Sequence, residues 1–128
     1  MAGVPLFTDN HVRGPLISAL REQGWDVVRA VDVFGQENDD AELFACAAKE
    51  GRVFLTCDEG IHAIAHEWLR QGRTAFRMIY CPMERQQQMT VGELLQAVAA
   101  SVTKPDAFAY PIEYIKPRWD RGSRQLYS

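Results

Sequence analysis

Short apolar runs alternate with helical periods along the first hundred residues, and a glycine follows most of the helical stretches. This is the βαβ rhythm of a parallel sheet covered on both faces, whose strands are continuously apolar rather than alternating. The first predicted strand is Val4 to Thr8. Pro15 suits a first helical position, Leu16, Ile17 and Leu20 mark one face, and Gly24 supplies the left-handed residue that ends the helix. A second strand is predicted over Trp25 to Ala30, followed by a loop from Val31 to Asn38 whose acids and glycine break both periods.

Asp39-Asp40-Ala41-Glu42 places a cap candidate three residues before a glutamate, and Leu43, Phe44, Ala47 and Ala48 then share a face as far as Gly51. Arg52 to Thr56 is the third strand. Ile61, Ile64, Ala65, Trp68 and Leu69 fall at i, i+3, i+4, i+7 and i+8, with Gly72 closing the helix. Thr74 to Tyr80 is the fourth strand, and Arg77 suggests that it lies near a sheet edge. Thr90 and Glu93 form a second capping pattern ahead of Val91, Leu94, Leu95, Val98 and Val102, with Gln86-Gln87-Gln88 in the preceding loop. The expected fold is a three-layer α/β/α sandwich around a mostly parallel sheet of four to five strands in the order 2-1-3-4.

No period survives in residues 104–128, which predicts a domain over 1–103 and a C-terminal arm. In that segment Lys104, Lys116, Arg118, Arg121 and Arg124 stand among Phe108, Tyr110, Tyr114, Trp119 and Tyr127. RNA bases could stack there with phosphates on the cations, or the aromatics could pack on the core or on a second subunit. A homodimer fits either use.

The 128 residues, 47% apolar and 24% charged, are enough for one globular domain with a sizeable core. A net charge of -3 excludes a whole-molecule basic field that would hold nucleic acid by phosphate neutralisation alone. The acids are concentrated in the first half, eleven of the 17 lying in residues 1–60. Cys46, Cys57 and Cys81 have no spacing for a disulfide framework or a thiolate zinc site. Met1 to Pro5 lacks the basic and apolar regions of a signal peptide, and no window approaches eighteen apolar residues, so the expectation is a cytoplasmic protein with no membrane span.

Ligands of an open parallel sheet bind beyond the carboxyl ends of its strands, where the strand order reverses. Asp9 directly follows the first strand, Asp58 follows the third within two residues, and Asp39, Asp40 and Glu42 begin the helix after the second. With strands one and three adjacent, Asp9 and Asp58 are expected side by side, with Asp40 approaching from the adjoining loop. Carboxylates about 4 Å apart repel by roughly 4 kcal/mol per pair at an effective dielectric near 20. Either their pKa values rise or a hard divalent cation sits between them, and all-oxygen ligation favours Mg²⁺ or Mn²⁺. Such an ion suits phosphodiester hydrolysis. The plainer alternative makes Asp39 with Glu42 a capping box and Asp58-Glu59 the start of a helix, but it assigns nothing to Asp9.

Phe7-Thr8-Asp9-Asn10, the helix end Leu20-Arg21-Glu22-Gln23-Gly24, Asp40-Ala41-Glu42-Leu43 and Gly51-Arg52-Val53-Phe54-Leu55-Thr56-Cys57-Asp58 resemble the short bacterial PIN-like proteins, relatives of VapC-type toxin ribonucleases. The resemblance spans roughly residues 4–80. It implies a Mg²⁺- or Mn²⁺-dependent ribonuclease, with RNA as partner and an antitoxin protein as a further one. Its acidic site maps onto Asp9 and Asp58 as direct metal ligands, Asp40 completing or water-bridging the shell, and Glu59 as a fourth member. Thr56 could orient a carboxylate or a water. The sequence departs from the family at Gly60, where a further aspartate is frequent, and at Asn10, where glutamate is. Those departures leave open a non-catalytic binding or regulatory domain with a degenerate metal site.

His62 and His66 are spaced i, i+4 as zinc ligands can be, without a third ligand in the sequence pattern; His62 is also near enough to Asp58 to touch a substrate phosphate. His11, close to the first acid, is the better substrate contact, together with Asn10. Cys57 beside Asp58 is read as a packing residue, since no base is placed against it. A receiver or flavodoxin-like ligand-binding domain is the remaining alternative, weakened by the missing acid pair before the first helix.

Overall fold

Eleven elements follow one another in a computed structural model that describes residues 3–35 and 39–115. They are β1 Leu6–Thr8, α1 Gly14–Glu22, β2 Val27–Arg29, α2 Ala30–Phe34, α3 Asp40–Lys49, β3 Val53–Thr56, α4 Glu59–Arg70, β4 Arg77–Tyr80, α5 Met83–Gln88, α6 Val91–Thr103 and β5 Ile112–Tyr114. The strands form one sheet in the order β2-β1-β3-β4-β5, and every neighbouring pair is parallel.

Side chains along each strand alternate between two apolar layers, which is why the strands are apolar throughout. Leu6, Val53, Leu55 and Ile79 pack with Leu16, Ile17 and Leu20 of α1 and Leu94, Ala97 and Val98 of α6. Phe7, Phe54, Met78 and Tyr80 pack on the other face with Phe44 and Ala47 of α3 and Ile61 and Ala65 of α4. There Phe44 meets Phe76 at 5.0 Å, and Trp68 at 4.7 Å edge-on. Truncating a ring so fully buried as Phe44 or Phe54 costs about 3–5 kcal/mol. Gly51 (φ 70°) and Gly72 (φ 75°) turn the chain out of α3 and α4 in the left-handed region expected of them.

Five expectations are corrected. The second strand begins at Val27, because Trp25 is buried in the α1 layer ahead of it, and the loop after it opens with the short helix α2. The glutamine run lies on α5 rather than in a loop. The fourth strand is interior: it begins at Arg77, whose guanidinium donates to the Gly51 carbonyl at 2.8 Å. The sheet edge is β5, in the segment expected to be an arm. Ile112 and Ile115 are buried there, and Glu113 takes the Lys104 ammonium at 2.7 Å and the Phe108 N–H at 2.8 Å. Lys116, Arg118, Trp119, Arg121, Arg124 and Tyr127 lie outside the described residues. Among the described residues no helix is long and apolar enough to cross a membrane.

Candidate functional site

Parallel strands present all their carboxyl ends on one side of the sheet, so the residues after β1 and β3 emerge together. Thr8 pairs with Leu55, and one step further that register sets Asp9 beside Thr56, on the face occupied by Phe7 and Phe54. The Thr56 hydroxyl donates to Asp9 Oδ2 at 2.9 Å and accepts the Asp58 N–H at 3.0 Å. One β-branched side chain at the strand end thereby fixes both acids.

Asp58 is the N-cap of α4, its Oδ1 accepting the Gly60 N–H at 2.8 Å. Its Oδ2 lies 3.6 Å from His11 Nδ1, which is 3.2 Å from Asp9 Oδ2. The capping duty therefore occupies one oxygen and leaves the other to the cluster. Asp9, His11 and Asp58 each bring one ligand atom within 4.8 Å of the others. His11, expected as a substrate contact, thus stands inside the acidic cluster.

Asp9 is 4% exposed, and its Oδ1 is buried without a hydrogen-bond partner among the described residues. Burial pushes its carboxyl above the ordinary range, against the opposing hydrogen bonds from His11 and Thr56. Asp39 caps α3 by accepting the Ala41 N–H at 3.2 Å, which leaves Asp40 without that duty. Burial raises the Asp40 carboxyl too, and the charge of Asp58 adds to the rise. A Cβ on Gly60 would stand 3.2 Å from Asp58 Oδ1 and 3.6 Å from Asp40 Oδ2, so position 60 lies between these two acids. Asp40 is near the cluster without belonging to its three-residue core.

A groove of about 500 Å³ opens beside the cluster, lined by His11, Asp58, Glu59, Tyr80, Met83 and Glu84 among others. Glu59 is exposed at the start of α4 and Asn10 is exposed in the turn after β1. His62 stacks flat on Tyr80, at 4.1 Å and 8°, and its Nε2 contacts Tyr114 Oη and His66 Nε2. Those partners, rather than the acids, surround it. The Cys57 thiol donates to the His11 carbonyl at 3.2 Å and is pushed up to about 12, chiefly by burial, which makes it a poor nucleophile.

Gln86 was not foreseen. It is buried on α5, where its amide donates to the His11 carbonyl at 3.4 Å and to Cys57 Sγ at 3.3 Å, while its carbonyl accepts the Arg13 N–H at 3.2 Å. It thus pins the turn that carries His11. Pro82 as a helix start, with Gln86 and Met89 three apart, is the signal that would have placed it on a buried helical face.

Two carboxylates and an imidazole, with a third carboxylate close by, form a donor set suited to a hard or borderline divalent cation, whose charge would offset their repulsion. A family model described as a PIN like domain matches residues 5–83, the stretch that contains Asp9, Asp40 and Asp58. Among curated proteins and among solved structures nothing matches the chain.

Proposed function

This chain belongs to the PIN-like domain family, and from that premise we propose that it is a metal-dependent endoribonuclease acting at Asp9, Asp40 and Asp58. The observation that carries the reading is Asp9 Oδ1, a buried carboxylate oxygen with no hydrogen-bond partner among the described residues, held in a cluster of potential ligands. Such orphans are rare in folded proteins, and a bound ion would give this one a partner.

Asp9 and Asp58 would hold Mg²⁺ or Mn²⁺, with Asp40 completing the shell directly or through water and Glu59 as a fourth acid at the rim. When bound, an ion of this kind polarises a phosphoryl oxygen and lowers the pKa of a water. Thr56 acts as a positioning residue, keeping Asp9 Oδ2 and the Asp58 backbone in place. His11 Nδ1 lies 3.2 Å from Asp9 Oδ2, and its half-exposed ring lines the groove, where with Asn10 it would meet a substrate phosphate.

The test is cleavage of a single-stranded RNA pool with Mg²⁺ or Mn²⁺, and its loss in Asp9→Asn and Asp58→Asn. No cleavage by the folded protein with either ion overturns the enzyme reading. A second reading, an RNA-binding domain with a degenerate metal site, is favoured by Gly60, which leaves the space between Asp40 and Asp58 without a carboxylate. It predicts RNA retained and uncut. The nuclease reading extends to the toxin of a toxin–antitoxin pair, in which an antitoxin protein would cover the groove. Growth arrest on expression, relieved by a cognate partner, is its test.

A further inference from the structure

Helix α4 and strand β5 bring three ligand atoms together outside the acidic cluster. His62 and His66 lie one turn apart on the same face of α4, and their Nε2 atoms are 3.1 Å from one another. Tyr114 of β5 supplies the third atom, its Oη standing 2.8 Å from His62 Nε2 and 3.4 Å from His66 Nε2. None of the three belongs to the Asp9, His11 and Asp58 cluster.

We propose that His62, His66 and Tyr114 form a second metal site, taking a borderline divalent transition ion of the zinc type. Zinc binds imidazole nitrogen and oxygen at about 2.0–2.2 Å in a tetrahedron, which sets ligand atoms about 3.3 Å apart. The three separations in this cluster, 2.8, 3.1 and 3.4 Å, bracket that edge. Imidazole nitrogens direct selection toward zinc, copper or nickel and away from magnesium, so the two sites differ in chemistry as well as in place.

The surroundings suit ligation. The His62 ring lies flat against Tyr80 at 4.1 Å, which fixes its plane. Glu59 begins the same helix three residues before His62. An ion held here would tie the edge strand β5 to α4 at the side of the groove.

The experiment titrates EDTA-treated protein with Co²⁺ in millimolar Mg²⁺, following the visible bands of a tetrahedral ion, and then displaces Co²⁺ with Zn²⁺. Binding is expected to persist in Asp9→Asn and Asp58→Asn. Losing even an outer partner of a ligand weakens metal binding about 10- to 100-fold, so His66→Ala and Tyr114→Phe are expected to weaken it by about 100-fold or more. Tyr114→Phe keeps the ring and removes only Oη, so its circular dichroism separates a lost ligand from a lost fold. Absence of the bands, their loss in Asp9→Asn, or undiminished binding in folded Tyr114→Phe overturns the proposal. The nuclease reading is left standing by each of those results, because it rests on other residues.

Discussion

Thr56 and Asp9, 47 residues apart in sequence, share a buried 2.9 Å hydrogen bond in which the hydroxyl donates to Oδ2. The Thr56 hydroxyl has one proton and spends it there, while its oxygen accepts the Asp58 N–H. Asp9 Oδ1 is the carboxylate oxygen left over.

Thr56→Val keeps the shape and removes both bonds. The Asp58 N–H then lacks its partner, at a cost of about 1–3 kcal/mol, while Asp9 Oδ2 keeps only His11 and its carboxyl rises further because a bond to its charged form is gone. Urea denaturation should show the loss of stability, and calorimetry should show Mn²⁺ affinity reduced about 10- to 100-fold. Thr56→Ser, which restores the hydroxyl, should recover most of the affinity. Equal Mn²⁺ binding by wild type and Thr56→Val would remove Thr56 from the site.

The raised carboxyl of Asp9 fixes the sign of a pH effect. Between its ordinary and its raised pKa the folded chain binds more protons than the unfolded chain, so Asp9 lowers stability progressively as pH rises through that interval. Asp40 contributes in the same direction. Asp9→Asn cannot ionise, so the Tm of the metal-free variant should gain on wild type as pH rises from about 4 to about 7. Mn²⁺ should reverse the order, because it binds the native wild-type site and raises its Tm. A variant that falls behind wild type with rising pH in EDTA contradicts the argument.

The elements legible in the sequence are those whose signal is local. The spacing from Ile61 to Leu69 placed α4, and the position of Asp9 beyond a strand with no helix to cap marked it for chemistry. The meeting of Asp9 and Asp58 followed from strand order alone. By contrast β5 is three residues between Pro111 and Ile115, recruited by pairing with β4 rather than by any period of its own. Gln86 is buried because tertiary partners satisfy its amide, a fact no pattern of apolar positions encodes. Tyr114 could join His62 and His66 only once β5 was in the sheet.

Gly60→Asp places a carboxylate between Asp40 and Asp58, where the added Cβ would lie 3.2 Å and 3.6 Å from an oxygen of Asp58 and Asp40. Without metal the added charge should lower Tm, since each like-charge contact near the surface is worth up to roughly 4 kcal/mol at about 4 Å. With Mn²⁺ the same charge becomes a ligand, so the metal-induced rise in Tm should exceed that of wild type. Thermal melts of both proteins with and without Mn²⁺ decide it. An equal rise in the two would show that position 60 does not face the ion.

Strand β5 carries the folded unit beyond residue 103. Ile112 and Ile115 are 3% and 1% exposed, one in each apolar layer, and the Met78 N–H and Ile115 N–H bond across to the Pro111 and Tyr80 carbonyls at 2.9 Å. Ending the chain at residue 103 would uncover the apolar edge of β4 and empty both layers at that side, where a single Ile115→Ala is expected to cost about 2–5 kcal/mol. The full-length chain should melt cooperatively with a single Tm. One of residues 1–103 should melt well below it or show no cooperative transition by circular dichroism. Should the shorter chain keep the full-length Tm, β5 contributes nothing to the core, and the boundary belongs at residue 103 after all.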